Sequence, residues 1–233
     1  TYKNKMYDLI NNNIKVFQER FLDACSKSSR QPSDVLIIAV SKKKESSIIR
    51  NVYKSGFENF GENFAQELAK KSEELKDLDI IWHFIGPIQS NKVNLVAASA
   101  NWVHSIDREK IISKLNSACK EIDKVMNVCI QVNIDNEDTK SGIHPDNLLE
   151  FSNLLKDYPN LKLKGMMVLP KLSDDLLHNE KVMGKCFALH ANLKLVHPDA
   201  NILSMGTTSD FESAIKCGSS MIRVGESIFG KRL

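Results

Sequence analysis

Eight short apolar runs, each followed by a longer amphipathic segment, constrain the fold of this 233-residue chain more than any other feature. We predict the runs as strands at 35–40, 57–60, 80–85, 102–106, 125–134, 161–169, 202–205 and 221–224. Strands that alternate with helices pair in parallel, and parallel strands buried on both faces read as continuous apolar runs such as LIIAV at 36–40. Eight such units predict a closed (β/α)8 barrel, the TIM barrel.

The segments between these runs have the spacing of helices. They are 45–55, 62–76, 89–99, 107–121, 145–157, 175–196 and 209–217, and one further helix is expected at about 3–27. Segment 107–121 is the clearest, and we place Asp107 at its N-cap. Its apolar face is formed by Ile111, Ile112, Leu115 and Ala118.

The alternative architecture is an open, doubly wound sheet. That fold predicts a G-x-G-x-x-G turn after the first strand, and the sequence has none. The chain also has no linker rich in Pro, Gly or Ser and no low-complexity tract. We therefore predict one domain over residues 1–233.

Composition narrows the class of ligand. With 42% hydrophobic and 26% charged residues the chain can bury a substantial core, and a net charge of +3 favours a small anionic ligand over nucleic acid. The cysteines lack C-x-x-C spacing and the six histidines lack H-E-x-x-H spacing, which argues against a disulfide framework or a metal site. The cysteines are Cys25, Cys119, Cys129, Cys186 and Cys217.

Location and assembly are inferred from what the sequence lacks. The opening stretch TYKNKMYDLINNN has no apolar signal-peptide core, and no apolar run approaches the membrane-spanning length of about 18 residues. We therefore expect a cytoplasmic protein without membrane contact. No exposed apolar stripe is evident in the sequence, so we expect a monomer.

Residues that could bind a ligand or take part in catalysis cluster where the predicted strands end. In a TIM barrel the site lies at the C-terminal ends of the strands. The first strand ends at Lys42, the second runs into GEN at 61–63, the third contains His83, the seventh leads to GTTSD at 206–210, and the eighth contains Arg223. We therefore expect one site at this end of the barrel.

Two of these loops can be interpreted as an anion cradle. GTTSD offers the hydroxyls of Thr207, Thr208 and Ser209, and GESIFG at 225–230 offers backbone N–H groups. Loops after strands seven and eight bind phosphate in many TIM barrels. Two observations count against a cradle: Thr208, Ser209 and Asp210 could simply cap the helix at 209–217, and the carboxylate of Glu226 must point away from a phosphate.

Lys42 differs from the two lysines that follow it. Lys43 and Lys44 are expected on a solvated surface. Lys42 continues the strand face of Ile38 and Val40 toward the barrel mouth. A neutral amine in an apolar setting can attack an aldehyde to form a Schiff base, although many strand-end lysines only extend to water.

Arg223 supplies a permanent cation on the last strand. A guanidinium stays protonated in proteins, so beside a pyridine nitrogen it donates a hydrogen bond and leaves that nitrogen unprotonated. A pyridine ring held this way is a weaker electron sink than one with a protonated nitrogen. The alternative role for Arg223 is a structural ion pair with a neighbouring carboxylate.

Several motifs resemble the pyridoxal phosphate homeostasis protein family, the YggS/PROSC type. They are AVSK at 39–42, FGEN at 60–63, WHFIGPIQSNK at 82–92, KSG at 140–142 and RVGESIFG at 223–230. The resemblance covers about residues 4–231 and implies a barrel like the N-terminal domain of alanine racemase that holds pyridoxal 5′-phosphate (PLP) as a Schiff base.

Carried over by position, the resemblance implies specific roles. Lys42 would carry the Schiff base, Arg223 would face the pyridine nitrogen, and the N–H groups of Gly225 and Glu226 with the Thr208 hydroxyl would hold phosphate. Asn63 and His83 would line the pocket, and Lys140 would be a second lysine near it.

The chain departs from the family pattern in two loops. SMGTTSDFESA has Thr207 and Thr208 where the family usually has Met and Ser, and RVGE has Glu226 where Thr or Ser is frequent. Thr208 keeps the hydroxyl of Ser, but Glu226 lacks a hydroxyl that could reach phosphate, which predicts looser PLP binding.

Three functions remain open at this point. The first is a PLP carrier without turnover that releases PLP by transimination, with apo PLP enzymes as recipients. The second is a weak amino acid racemase that uses Lys42 as base and His83 or another pocket group as acid. The third is a cofactor-free Schiff-base aldolase acting on a sugar phosphate.

Overall fold

The computed structural model describes residues 2–231, which form a closed barrel of eight parallel strands surrounded by helices. The strands are β1 Leu36–Val40, β2 Asn59–Glu62, β3 Ile81–Phe84, β4 Trp102–Ile106, β5 Met126–Val132, β6 Leu161–Val168, β7 Ile202–Thr207 and β8 Met221–Val224. Each strand pairs with the next in the chain, and β1 pairs with β8 to close the barrel. The predicted TIM barrel is confirmed.

Nine α-helices lie in the described residues. They are α1 Tyr2–Lys27, α2 Ser46–Lys54, α3 Ala65–Glu74, α4 Val93–Ser99, α5 Glu109–Glu121, α6 Leu148–Leu154, α7 Leu176–Val196, α8 Phe211–Lys216 and α9 Glu226–Phe229. Short 3-10 turns precede α4 and flank α6. None of the helices in residues 2–231 combines the length and apolar character needed to span a bilayer.

The core lies between the barrel wall and the helices. The predicted apolar face of α5 is confirmed, since all four residues placed on it are buried. Helix α1 adds a layer outside the repeating units and buries Phe17, whose ring meets Phe211 of α8 edge to face at a centroid distance of 5.3 Å. The five cysteines are unpaired thiols, and four of them are buried.

The predicted N-cap of α5 is wrong. The capping position is Arg108, and its side chain makes no capping bond. Asp107 instead accepts a hydrogen bond on Oδ2 from the backbone N–H of Gly142, at 3.1 Å. The carboxylate is recruited by the loop after β5, because the helix begins at Glu109, one residue later than the sequence pattern suggests.

Candidate functional site

A cavity of about 590 Å³ opens at the C-terminal end of the barrel. Its volume is in the ordinary range for small-molecule sites, roughly 300–1,000 Å³. Six of the seven residues predicted for the site line it: Lys42, Asn63, Thr208, Arg223, Gly225 and Glu226. The apolar part of its wall includes Val40, Ile85, Leu169 and Phe229. The structure brings these residues together, and their contacts with a ligand remain predictions.

Lys42 lies two residues beyond the end of β1 and lines the cavity together with Val40. Val40 and Lys42 line the cavity, whereas Ser41 between them is buried on the opposite face. Lys43 follows with a φ of 61°, so the chain turns sharply just after the lysine. Lys43, which is exposed, and Lys44, which is half-buried, also line the cavity, so Lys42 is distinguished from them by its phase with Val40.

A buried ionic cluster lies behind Lys42, between the ends of β1 and β2 and helix α3. Lys71 donates to the Ser41 carbonyl oxygen at 2.8 Å, to Glu62 Oε1 at 2.7 Å and to Glu67 Oε1 at 2.6 Å. The Ser41 hydroxyl also donates to Glu62 Oε1, at 2.7 Å. We call Ser41, Glu62, Glu67 and Lys71 the outer ionic cluster.

The outer ionic cluster contains a strongly perturbed carboxyl group. Desolvation raises the pKa of Glu62 to about 7, although the nearby Lys71 ammonium opposes this shift. Glu62 is fully buried, and within residues 2–231 its Oε2 has no hydrogen-bond partner. Because Lys71 also holds the Ser41 carbonyl, the cluster fixes the backbone from which Lys42 projects.

Asn63 contributes an unsatisfied polar atom next to the cavity. Its Oδ1 is buried and, in the described part of the chain, makes no hydrogen bond. Gly86 explains how the loops after β2 and β3 come this close, since a Cβ there would lie 2.2 Å from the Asn63 carbonyl oxygen. The residue lines the cavity, whereas its Oδ1 atom is buried behind the cavity wall.

The loops after β7 and β8 meet at Thr208. Its hydroxyl oxygen accepts from the backbone N–H groups of Gly225 and Ser227, at 3.3 and 3.4 Å. Asp210 is the N-cap residue of α8, as the capping alternative expected, but its side chain makes no capping bond and accepts from the N–H and hydroxyl of Thr207 instead. Thr208 is therefore not engaged in capping this helix. Glu226 is exposed at the cavity rim. The corner therefore gathers a hydroxyl and two N–H donors, the groups that bind phosphate oxygens.

Arg223 forms part of the cavity floor and is 4% exposed. It donates to Ser204 Oγ at 2.6 Å and to the Val168 carbonyl oxygen at 3.0 Å. Both acceptors are neutral, which does not support the alternative of a structural ion pair. Burial lowers the pKa of Arg223 to about 10, so the guanidinium remains a cation at neutral pH.

His83 is placed elsewhere than predicted. It is fully buried inside the barrel and is not among the residues that line the cavity. Its ring bonds Asn59 Oδ1 at 2.8 Å and His104 Nε2 at 2.9 Å. Burial lowers the pKa of His83 to about 3, so the ring is neutral over the physiological range.

Lys140 also lies outside the cavity lining. Its ammonium bonds Asp135 Oδ2 at 2.8 Å and lies 3.5 Å from Glu137 Oε2, and these partners raise its pKa. The loop after β5 therefore holds this lysine in a local ion pair.

Sequence reasoning missed His104 and Ser204, which connect His83 to Arg223. The available signal was a polar residue inside each of two strands, in WVHSI and ILSM.

The family model for the alanine racemase N-terminal domain matches residues 10–232. The closed barrel and this match together place the chain in the class of the alanine racemase N-terminal domain. The chain is 41% identical over 227 residues to the pyridoxal phosphate homeostasis protein of Pasteurella multocida, covering 96% of this chain and 97% of that protein. For the protein of the same name from Haemophilus influenzae the identity is 40%, with 96% of both chains covered. The chain belongs to the pyridoxal phosphate homeostasis protein family, as its motifs predicted.

Solved structures agree with this membership. PipY from Synechococcus elongatus, in its structure with PLP bound, superposes with a TM-score of 0.79 at 31% identity and covers 91% of this chain and 100% of that one. An alanine racemase from Clostridium difficile gives a TM-score of 0.73 at 13% identity, covering 95% of this chain and 57% of that one. At that identity the racemase shows a shared barrel fold.

Proposed function

We propose that this protein binds PLP in the cavity at the C-terminal end of the barrel and holds it for delivery, without turning over a substrate. The observation that carries the proposal is the convergence of three kinds of group on one cavity: the amine of Lys42, the guanidinium of Arg223, and the Thr208 corner with its hydroxyl and N–H groups. PLP has an aldehyde, a ring nitrogen and a phosphate. The named relatives and the PLP-bound PipY structure support the same ligand.

Lys42 is the residue we assign to the aldehyde. Its amine attacks the carbonyl carbon, and loss of water leaves a Schiff base. The outer ionic cluster supports this role because Lys71 and Glu62 fix Ser41, the residue before Lys42, by both its carbonyl and its hydroxyl. An incoming amine displaces Lys42 by transimination, which offers a route of delivery to apo PLP enzymes.

Arg223 is assigned to the ring nitrogen. A guanidinium donates and does not accept, so it bonds the nitrogen lone pair without protonating it. PLP can act as an electron sink for carbanions, and a cationic donor that keeps the ring nitrogen unprotonated weakens that capacity. This assignment favours a carrier over an enzyme.

The Thr208 corner is assigned to the phosphate. The Thr208 hydroxyl oxygen accepts from the N–H groups of Gly225 and Ser227, so the hydroxyl can donate its own hydrogen to a phosphate oxygen at this corner. The Glu226 side chain extends into solvent at the rim, and only its backbone N–H is assigned to the phosphate.

The structure does not support His83 as the acid that the racemase alternative requires. A racemase needs a second acid or base on the opposite face of the ring. His83 does not line the cavity, and its lowered pKa keeps it neutral, so it does not suit that role. The lack of support for His83 as an acid favours a carrier.

Titration with PLP tests the function. Wild-type protein is expected to gain a yellow absorbance that borohydride abolishes and that Lys42→Ala lacks. Lys44→Ala is the matched control, since Lys44 lines the same cavity at its rim. A wild-type protein that stayed colourless with excess PLP would contradict the proposal, and cleavage of a ketose phosphate by that colourless protein would indicate the aldolase.

Delivery and turnover need separate measurements. Holo protein mixed with an apo PLP enzyme should transfer PLP faster than PLP dissociates spontaneously. A panel of amino acids should show no racemisation by the holo protein. Equal rates of transfer and dissociation would argue against delivery by transimination.

A further inference from the structure

A chain of polar side chains runs through the barrel interior beneath Arg223. Arg223 donates to Ser204 Oγ at 2.6 Å, and Ser204 Oγ lies 3.0 Å from His104 Nδ1. His104 Nε2 lies 2.9 Å from His83 Nδ1, and His83 Nε2 lies 2.8 Å from Asn59 Oδ1. We call these five residues the inner polar chain.

The interior of a TIM barrel is ordinarily filled by branched apolar side chains. Polar groups there are costly unless each finds a partner. Ser204, His83 and His104 are fully buried and lie on β7, β3 and β4, so three strands each contribute a polar residue to one connected set. The set ends on the cation that lines the cavity floor, which links it to the ligand site rather than to packing alone.

The hydrogen bonds of the inner polar chain run in one direction. Arg223 can only donate, so Ser204 Oγ accepts from it and is free to give its own hydrogen to His104 Nδ1. His104 then carries its proton on Nε2 and donates to His83 Nδ1. His83 likewise carries its proton on Nε2, which faces the carbonyl oxygen of the Asn59 amide.

The opposite direction satisfies fewer groups. It would need the Asn59 amide reversed, and Ser204 would accept from both Arg223 and His104, leaving its own hydrogen without either of these partners. Burial lowers the pKa of both histidines, so neither ring holds a second proton. One tautomer of each ring therefore fits the whole chain.

The chain also fixes the position of the guanidinium. One N–H bonds Ser204 on β7 and another bonds the Val168 carbonyl at the end of β6. A guanidinium has five N–H groups, so donors remain for the cavity that Arg223 lines. Two fixed points on a planar group determine the direction in which the remaining donors point.

We propose that Ser204 and His104 are positioning residues that aim the Arg223 guanidinium at the ligand, with His83 and Asn59 fixing the proton on each ring. The inference rests on the proposed function, because it requires Arg223 to face the ring nitrogen of PLP. The positioning residues touch Arg223 or one another and need no contact with PLP.

Comparison of PLP with its deaza analogue, in which a C–H group replaces the ring nitrogen, tests the inference. Wild-type protein should bind PLP on the order of tenfold or more tightly than the analogue, because a charged donor loses its acceptor. His104→Leu and Ser204→Ala should reduce this ratio severalfold. His104→Asn is the matched control, since its amide oxygen can stand near the Nδ1 position, and it should retain more of the ratio than His104→Leu.

The outcomes separate the two proposals. A ratio that stays at its wild-type value in His104→Leu and Ser204→Ala, with both affinities reduced equally, would overturn the positioning role and leave PLP binding intact. A wild-type protein that binds neither compound refutes the proposed function, and one that binds both equally refutes the contact of Arg223 with the ring nitrogen. In either case the inference falls as well.

A measurement without any substitution guards against variants that do not fold. Nitrogen NMR of ligand-free protein with labelled histidine should show His83 and His104 as neutral rings with the proton on Nε2. A proton on Nδ1 of either ring, or a charged ring at neutral pH, would overturn the arrangement.

Discussion

Two buried polar networks, the inner polar chain and the outer ionic cluster, lie on different sides of the cavity. They differ in whether their members are neutral or charged. The inner polar chain holds Arg223 through neutral rings, a hydroxyl and an amide. The outer ionic cluster holds the backbone before Lys42 through one ammonium and two carboxylates. The inner polar chain has one charged member, Arg223, at the end that meets the cavity, whereas in the outer ionic cluster opposite charges compensate one another.

The two networks differ in how far water reaches their polar groups. Glu67 of the outer ionic cluster is partly exposed, so water can screen that side of the ion pair. The two histidines of the inner polar chain are fully buried, and desolvation keeps them uncharged. The inner polar chain should therefore be insensitive to pH near neutrality, whereas in the outer ionic cluster desolvation raises the pKa of Glu62 to about 7.

The largest effect should come from breaking the outer ionic cluster. Lys71→Met leaves the buried carboxylate of Glu62 without its counter-ion, which typically costs about 3 kcal/mol or more of unfolding free energy. The loss should be larger at about pH 8 than at about pH 5, because at low pH the carboxyl group takes up a proton. Urea unfolding at the two pH values measures it.

Lys70→Met is the control for this change. Lys70 lies on the same helix, is exposed, and has Glu74 as its ionic partner at 3.8 Å. Its loss should cost less than about 1 kcal/mol at either pH. Equal losses for the two lysine variants would contradict the importance of the buried pair.

Breaking the inner polar chain should lower the unfolding free energy by less than Lys71→Met does, and this loss should depend little on pH. Ser204→Ala removes the acceptor of Arg223 and the donor to His104, for a loss of about 1–3 kcal/mol in unfolding free energy. The loss should be the same at about pH 7 and pH 9, since neither histidine titrates there. Ser209→Ala, at an exposed serine of the cavity rim, serves as the control, and a strong pH dependence would contradict the neutral chain.

The pH dependence of stability should separate the two networks directly. The raised pKa of Glu62 means that stability from this group is present at low pH and falls as pH rises from about 4.5 to 7, by up to about 1.4 kcal/mol per pH unit. The lowered pKa values of His83 and His104 act oppositely, because below about pH 6.5 the unfolded chain takes up protons that the folded protein does not.

Glu62→Gln should therefore make the protein more sensitive to acid. Its unfolding free energy should fall more steeply than that of wild type as pH drops from about 6.5 to 5, because the opposing contribution of Glu62 is gone. Urea unfolding across this range gives both curves. Parallel curves would show that Glu62 keeps an ordinary pKa in the folded protein.

The smallest effect is expected at the rim, where neither network reaches. Glu226 is exposed, so Glu226→Thr should change unfolding free energy by less than about 0.5 kcal/mol. The new hydroxyl should tighten PLP binding severalfold while leaving the binding of pyridoxal, which lacks the phosphate, unchanged. A PLP dissociation constant equal to that of wild type would contradict the looser binding predicted for Glu226.

The parts of the structure governed by local pattern were predictable from the sequence. Continuous apolar runs identified all eight strands to within a few residues, and Lys42, two residues beyond the end of β1, lines the cavity in phase with Val40. The position of Thr208 and Gly225 at the cavity followed from the rule that TIM-barrel sites lie in the loops after the strands, and their contact with phosphate stays a prediction.

The parts governed by pairing across the barrel were not predictable. Nothing in the local sequence pattern pairs Glu62 with Lys71, and only the packing of α3 buries them together. His104 meets Ser204, a residue far along the chain, so no local spacing could reveal the contact. His83 stands on a strand beside the site, yet its depth in the barrel depends on register, which periodicity does not provide.

Closure of the barrel joins the first strand to the last, with Ile38 opposite Arg223. Lys42 and Arg223 therefore come together only after β8 has been synthesised and has docked, so the proposed PLP site is incomplete until then. A ligand that contacts residues at the ends of both strands would stabilise the pairing of β1 with β8. Bound PLP should therefore slow the local unfolding of β8 more than that of the strands on the opposite side of the barrel.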